Sequence, residues 1–483
     1  MTPTPRTCRS CSFLVSLILL SGLPAAAAEA PASIQFGRFG TIPVVRPQGE
    51  PTQVVLLLSG DKGVGELENK MAAVLAGQGA LVFEIDSAHY LQATGQIHCI
   101  FPGADFEGVS QFGQSKLGMA NFKPPILVGT GSGAQLAYAA LAQAPPGTFA
   151  GAVSAGFCAV LNSQRPLCQG NGLMRDHSWK LEGQHLLPDS EIGDPWFILR
   201  SPADAQCAAG PFGDFNKSIQ GSKVIPLPAK EPAAEAWKSQ LKEAMAAFAE
   251  RSRQAAANAP NRDNELRDLP LAEVAADPPE TNALAVVLSG SGGWTSIDRR
   301  IGNQLAARGV PTIGISAANY FWNQRTPDGT GQDLTRILKH YLAAWHKEKV
   351  VLVGYSQGAD IIPFMTNRLP ADLRARVVMV GLIGPDPNAQ FRLHPDAWMS
   401  GRAVEPDLPV APEIARLAGL KVVCVLAEKE LDSLCPKLDP KVVTLFKVPG
   451  SHDFAGQAPN LAEHFVVEAG LRGPAKRPAK KKP

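Results

Sequence analysis

Short, almost uninterrupted apolar runs recur along the chain, separated by stretches whose apolar residues return every three to four positions. The runs are Val54–Leu58, Leu81–Ile85, Ile126–Val128 and Trp196–Leu199, then Ala285–Leu288, Thr312–Ile315, Val350–Val353, Val377–Leu382 and Val422–Leu426. Runs of this length and content read as strands buried on both faces. Ile301–Arg308 and Leu334–Trp345 carry the helical spacing. Strands of this kind alternating with helices predict a mostly parallel sheet with helices on both faces.

The pattern occurs twice. Val54–Gly60 (VVLLLSG) matches Leu284–Gly290 (LAVVLSG), and the same offset aligns Ala88-His89-Tyr90 with Ala318-Asn319-Tyr320. With small gaps, Val128-Gly129 then matches Val353-Gly354, and Asp204 and Cys207 match Asp432 and Cys435. So long a repeat means two copies of one domain and not a solenoid of short units. Lys238–Ala255 reads as a closing helix of the first copy, and the polar, proline-containing stretch after it holds the boundary. The expected layout is residues 34–258, a linker at 259–280, and a second copy at 281–473.

Composition adds compartment more than chemistry. The net charge is +2, so no overall field points to nucleic acid. Arg6 and Arg9, the apolar stretch Phe13–Leu23 and the small residues Ala25–Ala28 read as a secretory signal over residues 1–28, which implies export to the periplasm. Cys99, Cys158, Cys168, Cys207, Cys424 and Cys435 follow it, and an oxidising compartment permits disulfides between them. The local pairs Cys158–Cys168 and Cys424–Cys435 are expected; free buried thiols are the alternative. Residues 474–483 are basic and expected to be disordered, or to attract anionic headgroups.

The candidate chemistry sits in the second copy. Gly354-Tyr355-Ser356-Gln357-Gly358 follows one strand and precedes a helical stretch, the context in which G-x-S-x-G presents a nucleophilic serine at a sheet's carboxyl edge. A serine hydroxyl needs a neighbouring base to take its proton. His452, in Gly450-Ser451-His452-Asp453, follows the late apolar run Val442–Val448 and is the expected base. The acid that orients it should come from the loop after Val422–Leu426. Asp432 is preferred because the first copy repeats it as Asp204, with Glu430 as the alternative. The order serine, acid, histidine is that of α/β-hydrolases, and the fold class follows: two tandem α/β-hydrolase-like domains. Oxyanion donors are expected from Gln357 and from the Gly290–Trp294 turn, with Ser291 and Gly292 nearest. That turn lacks the Lys-Ser/Thr of a phosphate-binding loop. His340, His346, His394 and His464 follow no late strand and read as surface or packing residues. No cofactor or metal is implied.

The first copy acts as an internal control. Its turn reads Gly129-Thr130-Gly131-Ser132-Gly133, with Gly131 opposite Ser356, and no histidine stands near Val224–Glu231. It is expected to be catalytically silent and to bind or scaffold.

The LSGSGGW turn at Leu288–Trp294, Asn319-Tyr320-Phe321-Trp322, VGYSQGAD at Val353–Asp360, Asn367-Arg368-Leu369-Pro370, the Glu430-x-Asp432-Ser433-x-Cys435 loop and Gly450-Ser451-His452-Asp453 together resemble the VirJ/AcvB bacterial virulence-protein family. The secreted two-copy layout resembles its longer members. The resemblance implies a periplasmic serine esterase that removes lysine from lysyl-phosphatidylglycerol at the membrane surface, with a role in lipid metabolism and a link to type IV secretion and virulence in some pathogens. Family members commonly carry Asp where this chain has Ser291. A cationic lysyl group would want acidic neighbours: Asp298, Asp360 and Asp386 are candidates, and Trp294 is a candidate substrate contact. The alternatives are a secretion-associated binding protein and a generic periplasmic esterase.

Overall fold

The computed structural model describes residues 33–92, 99–144, 147–169, 173, 175–176, 183–190, 192–200, 215–227, 237–257, 266–276, 280–294, 296–393, 408–430, 432–454 and 456–471. Residues 1–28, expected to be a signal, together with Asp204, Cys207, His394 and the basic tail, lie outside them.

Two sheets dominate, and their order carries the duplication. The first runs Ser33–Gln35, Thr41–Val45, Ala80–Ile85, Gln53–Leu58, Ile126–Thr130, Gly151–Ala155, Trp196–Arg200, Ser222–Pro226. The second runs Leu271–Val274, Thr312–Ile315, Ala283–Leu288, Lys349–Tyr355, Val377–Ile383, Val422–Ala427, Val443–Val448. Aligned on strands Gln53–Leu58 and Ala283–Leu288, the two orders coincide; the first adds an edge strand. In both, the strand next to the parallel set pairs with it antiparallel (Thr41–Val45 and Leu271–Val274), the added edge strand Ser33–Gln35 is antiparallel too, and the rest pair parallel.

The apolar runs are continuous because each sheet has a core on both faces. Along one strand Leu284, Val286 and Leu288 enter one core while Ala283, Ala285 and Val287 enter the other. Val54, Leu56 and Leu58 alternate with Val55 and Leu57 in the same way. This is the period-2 pleat read in a sheet that has no wet face. In the second half, helices Pro327–Ala344 and Gln357–Asn367 cover one face, and Ser296–Ala306 and Ala458–Glu468 cover the other.

Two expectations change. The stretch taken as a linker contributes to the second core: Leu266, Leu269 and Leu271 are buried there, and Leu271–Val274 pairs with Thr312–Ile315. A single apolar side chain every second or third residue is enough for an edge strand, so the polar composition masked it. Cys168 bonds Cys99 and not Cys158, which is itself disulfide-bonded. Backbone bonds between Ile100 and residues 166 and 168 bring those segments side by side, and a link of sequence separation 69 is invisible to a rule that favours near neighbours. Cys424–Cys435 forms as expected.

The described residues belong to one compact unit, and the two halves meet along a defined seam. Phe122 of the first half joins Ala318, Trp322 and Leu393 of the second in a buried cluster. Trp322 Nε1 donates to the Met119 carbonyl at 2.6 Å.

Candidate active site

The second sheet's order reverses between strands Ala283–Leu288 and Lys349–Tyr355, whose connections leave in opposite directions. Crevices at such points, beyond the carboxyl ends of the strands, are where α/β sheets place ligands. Both candidate motifs start there.

Ser356 sits between strand Lys349–Tyr355 and helix Gln357–Asn367 with φ 50° and ψ −121°. An L-residue held at positive φ is strained, and the surrounding packing has to enforce it. The flanking glycines explain how. A Cβ at Gly354 would lie 2.2 Å from the Gly358 carbonyl oxygen, and one at Gly358 would lie 2.1 Å from that of Leu288. The helix therefore starts hard against the sheet, and Ser356 is raised at the bend.

His452 lies in the loop after strand Val443–Val448. Its Nε2 is 3.1 Å from Ser356 Oγ. Tyr355 Oη donates to the His452 carbonyl at 3.0 Å, holding that loop over the bend. On the far side of the ring, Nδ1 is 2.5 Å from Glu430 Oε1. The carboxylate that meets the imidazole is Glu430, and the preference for Asp432 at that position is corrected. Glu430 closes a tight turn, its N–H donating to the Ala427 carbonyl, and its side chain is 8% exposed. Asp432 is exposed. The repeat that favoured Asp432 matches letters in the two halves; it carries no information about which carboxylate turns inward.

Gly384, at the end of strand Val377–Ile383, was not singled out in the sequence. It has φ +58°, and a Cβ there would lie 2.8 Å from Glu430 Oε1 and 3.0 Å from His452 Nδ1. The signal was present as a glycine directly after a buried strand. Gly384→Ala should lower kcat by about 10²-fold, the scale of a misplaced catalytic group, with kcat and melting temperature measured together. A fully active variant would show that the pair needs no such space.

Glu430 holds the His452 imidazole above its ordinary range by accepting its hydrogen bond, against the opposing effect of burial; Asp386 and Asp453 act in the same direction as Glu430. A base must be neutral to take a proton. The rate should therefore fall on acidification at a pH above the ordinary histidine value of about 6.5. Glu430→Gln should move that limb to lower pH; a pH–rate profile that does not shift would exclude this coupling.

A cavity of about 190 Å³ opens at Ser356, lined by Ser291, Gln357, Asp360, Asp386, Asn388, Gln390, Arg392 and Leu393. Asp360 is buried, and its Oδ1 accepts from the Asp386 N–H at 2.7 Å. Desolvation, then the neighbouring Asp386, push the Asp360 carboxyl well above the usual range. Burial also raises Asp386. As the first residue of its helix, Gln357 has a backbone N–H with no intrahelical acceptor, available to a ligand oxygen. Ser291 lines the same cavity from the other side, and Gly292 follows it.

Other expectations are not brought into this cavity. Trp294 packs over Gly302 and Gly314, where a Cβ would lie 3.1 Å and 2.5 Å from its ring. It lines a separate seam cavity of about 300 Å³ with Phe122 and Leu271. Glycines opposite the indole made room for it as a packing residue. Asp298 is buried beneath the bend, where it acts electrostatically on Tyr355. His464 stacks on Phe446, ring centroids 3.8 Å apart. The cavity residues Asn388, Gln390 and Arg392 follow no motif and were not anticipated.

The first half keeps the bend with a glycine in place of the serine. Gly131 has φ 48° and ψ −125°, nearly the values of Ser356, and Ser132 is the buried first residue of helix Ser132–Gln143.

Residues 282–472 match the family model described as Bacterial virulence protein (VirJ), a span within the second half. No curated protein matches the chain. Similar solved structures include Est1E from Butyrivibrio proteoclasticus, 14% identical over 41% of this chain and 93% of its own, with a TM-score of 0.32. An alpha-beta serine hydrolase homologue from Coxiella burnetii is 14% identical over 41% and 89%, TM-score 0.30. The esterase domain of a Rhodothermus marinus protein is 12% identical over 42% and 92%, TM-score 0.30.

Proposed function

We propose that the second half is a serine ester hydrolase acting on the aminoacyl ester of lysyl-phosphatidylglycerol in the periplasm. The observation that carries the enzyme reading is the line Glu430–His452–Ser356, two hydrogen-bonding contacts set on a strained bend. The VirJ match over residues 282–472 supports this substrate, and the Ser356 cavity, lined by Asp360, Asp386 and Arg392, offers a polar wall to a polar acyl group.

In this reading His452 Nε2 takes the Ser356 proton as Oγ attacks the ester carbonyl. The carbonyl oxygen becomes an oxyanion facing the Gln357 N–H and the Ser291–Gly292 backbone. Collapse breaks the bond to the lipid's glycerol oxygen, which leaves with the proton held by His452. A water, deprotonated by the same imidazole, then cleaves the lysyl ester of Ser356 and releases lysine. Glu430 keeps its contact with Nδ1 throughout and stabilises the imidazolium.

The test is to incubate the protein with vesicles of lysyl-phosphatidylglycerol in phosphatidylglycerol and follow free lysine and lipid. Equimolar lysine and phosphatidylglycerol are expected. Intact lipid, alongside cleavage of simple soluble esters, would leave the hydrolase and remove the lipid.

A further inference from the structure

The first half carries Gly131 where the second carries Ser356, yet one of its helices packs against the turn that borders the second half's site. Helix Pro102–Lys116 sets Glu107 against the turn after strand Ala283–Leu288: a Cβ on Gly292 would lie 3.4 Å from Glu107 Oε1. The residue before Gly292 is Ser291, which lines the Ser356 cavity. One helical turn on, Gln111 is fully buried, and its Nε2 donates to Glu107 Oε1 at 3.1 Å. Gln111 Oε1 is also buried and receives no hydrogen bond among the described residues.

Both groups lack the same thing. Glu107 is half-buried; desolvation lifts its carboxyl to about 7, and no cation among the described residues offsets it. A carboxylate drawn out of water without a cation is costly, as is an amide oxygen without a donor. Turning the Gln111 amide over gains nothing, because its oxygen would then face the carboxylate. A hydroxyl could satisfy one acceptor but leaves the charge. An anion would be repelled. A primary ammonium brings one positive charge and three N–H donors, enough for both oxygens.

We propose that Glu107 and Gln111 form an ammonium subsite through which the silent half selects the substrate cleaved at Ser356. The proposal rests on the hydrolase reading above, and it makes Glu107 a specificity-determining residue contributed across the seam. The duplication then has a physical consequence: one copy keeps the nucleophile and the other recognises the substrate's charge.

The test uses the full chain and two esters of matched length, ethyl 6-aminohexanoate and ethyl heptanoate, followed by ethanol release. Glu107→Gln should lower kcat/KM for the ammonium ester by about tenfold, the loss of one charge-assisted hydrogen bond, and leave the heptanoate unchanged. Gln111→Met should act in the same direction. An equal loss on both esters would mean that Glu107 merely props the Gly292 turn, and would overturn the proposal; so would no loss on either. A binding arm separates this from the hydrolase reading: hexylammonium is titrated calorimetrically into Ser356→Ala, with and without Glu107→Gln. Binding that depends on Glu107 supports the subsite even if neither ester is cleaved, a result that would sink the nucleophile alone. Binding that survives Glu107→Gln overturns the subsite.

Discussion

Ser356→Ala should reduce ester turnover by about 10⁶-fold, the loss seen when a serine–histidine pair is disabled as a unit, while melting within a few degrees of the parent. The fold should tolerate the change because alanine meets the same backbone strain at φ 50° that serine does, and the glycines that enforce the bend are untouched. A fluorophosphonate should label Ser356 and no other residue. Ser132 is the informative comparison: it lies in the first half's matching bend, but one position too late, on a buried helical residue. Peptide mapping of the labelled chain reads both sites at once. A folded Ser356→Ala protein with parental turnover, or label on Ser132, would reassign the nucleophile.

The second large effect separates two carboxylates that lie two residues apart. Glu430→Ala should lower kcat by about 10⁴-fold, the scale of losing the group that orients the base. Asp432→Ala should change kcat by no more than about twofold, because an exposed side chain without a role at the site rarely matters more. The physical reason lies in the 2.5 Å contact from Glu430 to His452 Nδ1. Without that acceptor the ring loses both its tautomer and its orientation toward Ser356. Because Glu430 also raises the His452 pKa, the residual activity of Glu430→Gln should extend to lower pH than that of the parent. Equal losses from both substitutions would indicate a loop that must fold as a whole, and a larger loss from Asp432→Ala would restore the acid suggested by the repeat.

The sequence determined the two-copy plan, because a strand buried on both faces must be apolar at nearly every position, and that composition is visible without coordinates. It also determined where Ser356 and His452 stand. G-x-S-x-G and the late histidine depend on local geometry: glycine where a Cβ would strike backbone at 2.2 Å, and a loop after a strand. Leu271–Val274 was hidden because an edge strand needs few apolar residues. The acid, the cavity wall and the Cys99–Cys168 link depend instead on which segments lie side by side. Glu430 and Asp432 are equivalent as letters; only the turn back to Ala427 points one inward. Gly384 acquires its meaning from two side chains far away in sequence. Glu107 could not have been connected with Gly292 at all, since nothing in a helix of the first half encodes the surface it will be packed against. Contacts of that kind are set by how the halves close on one another, and their energies belong to the assembled chain.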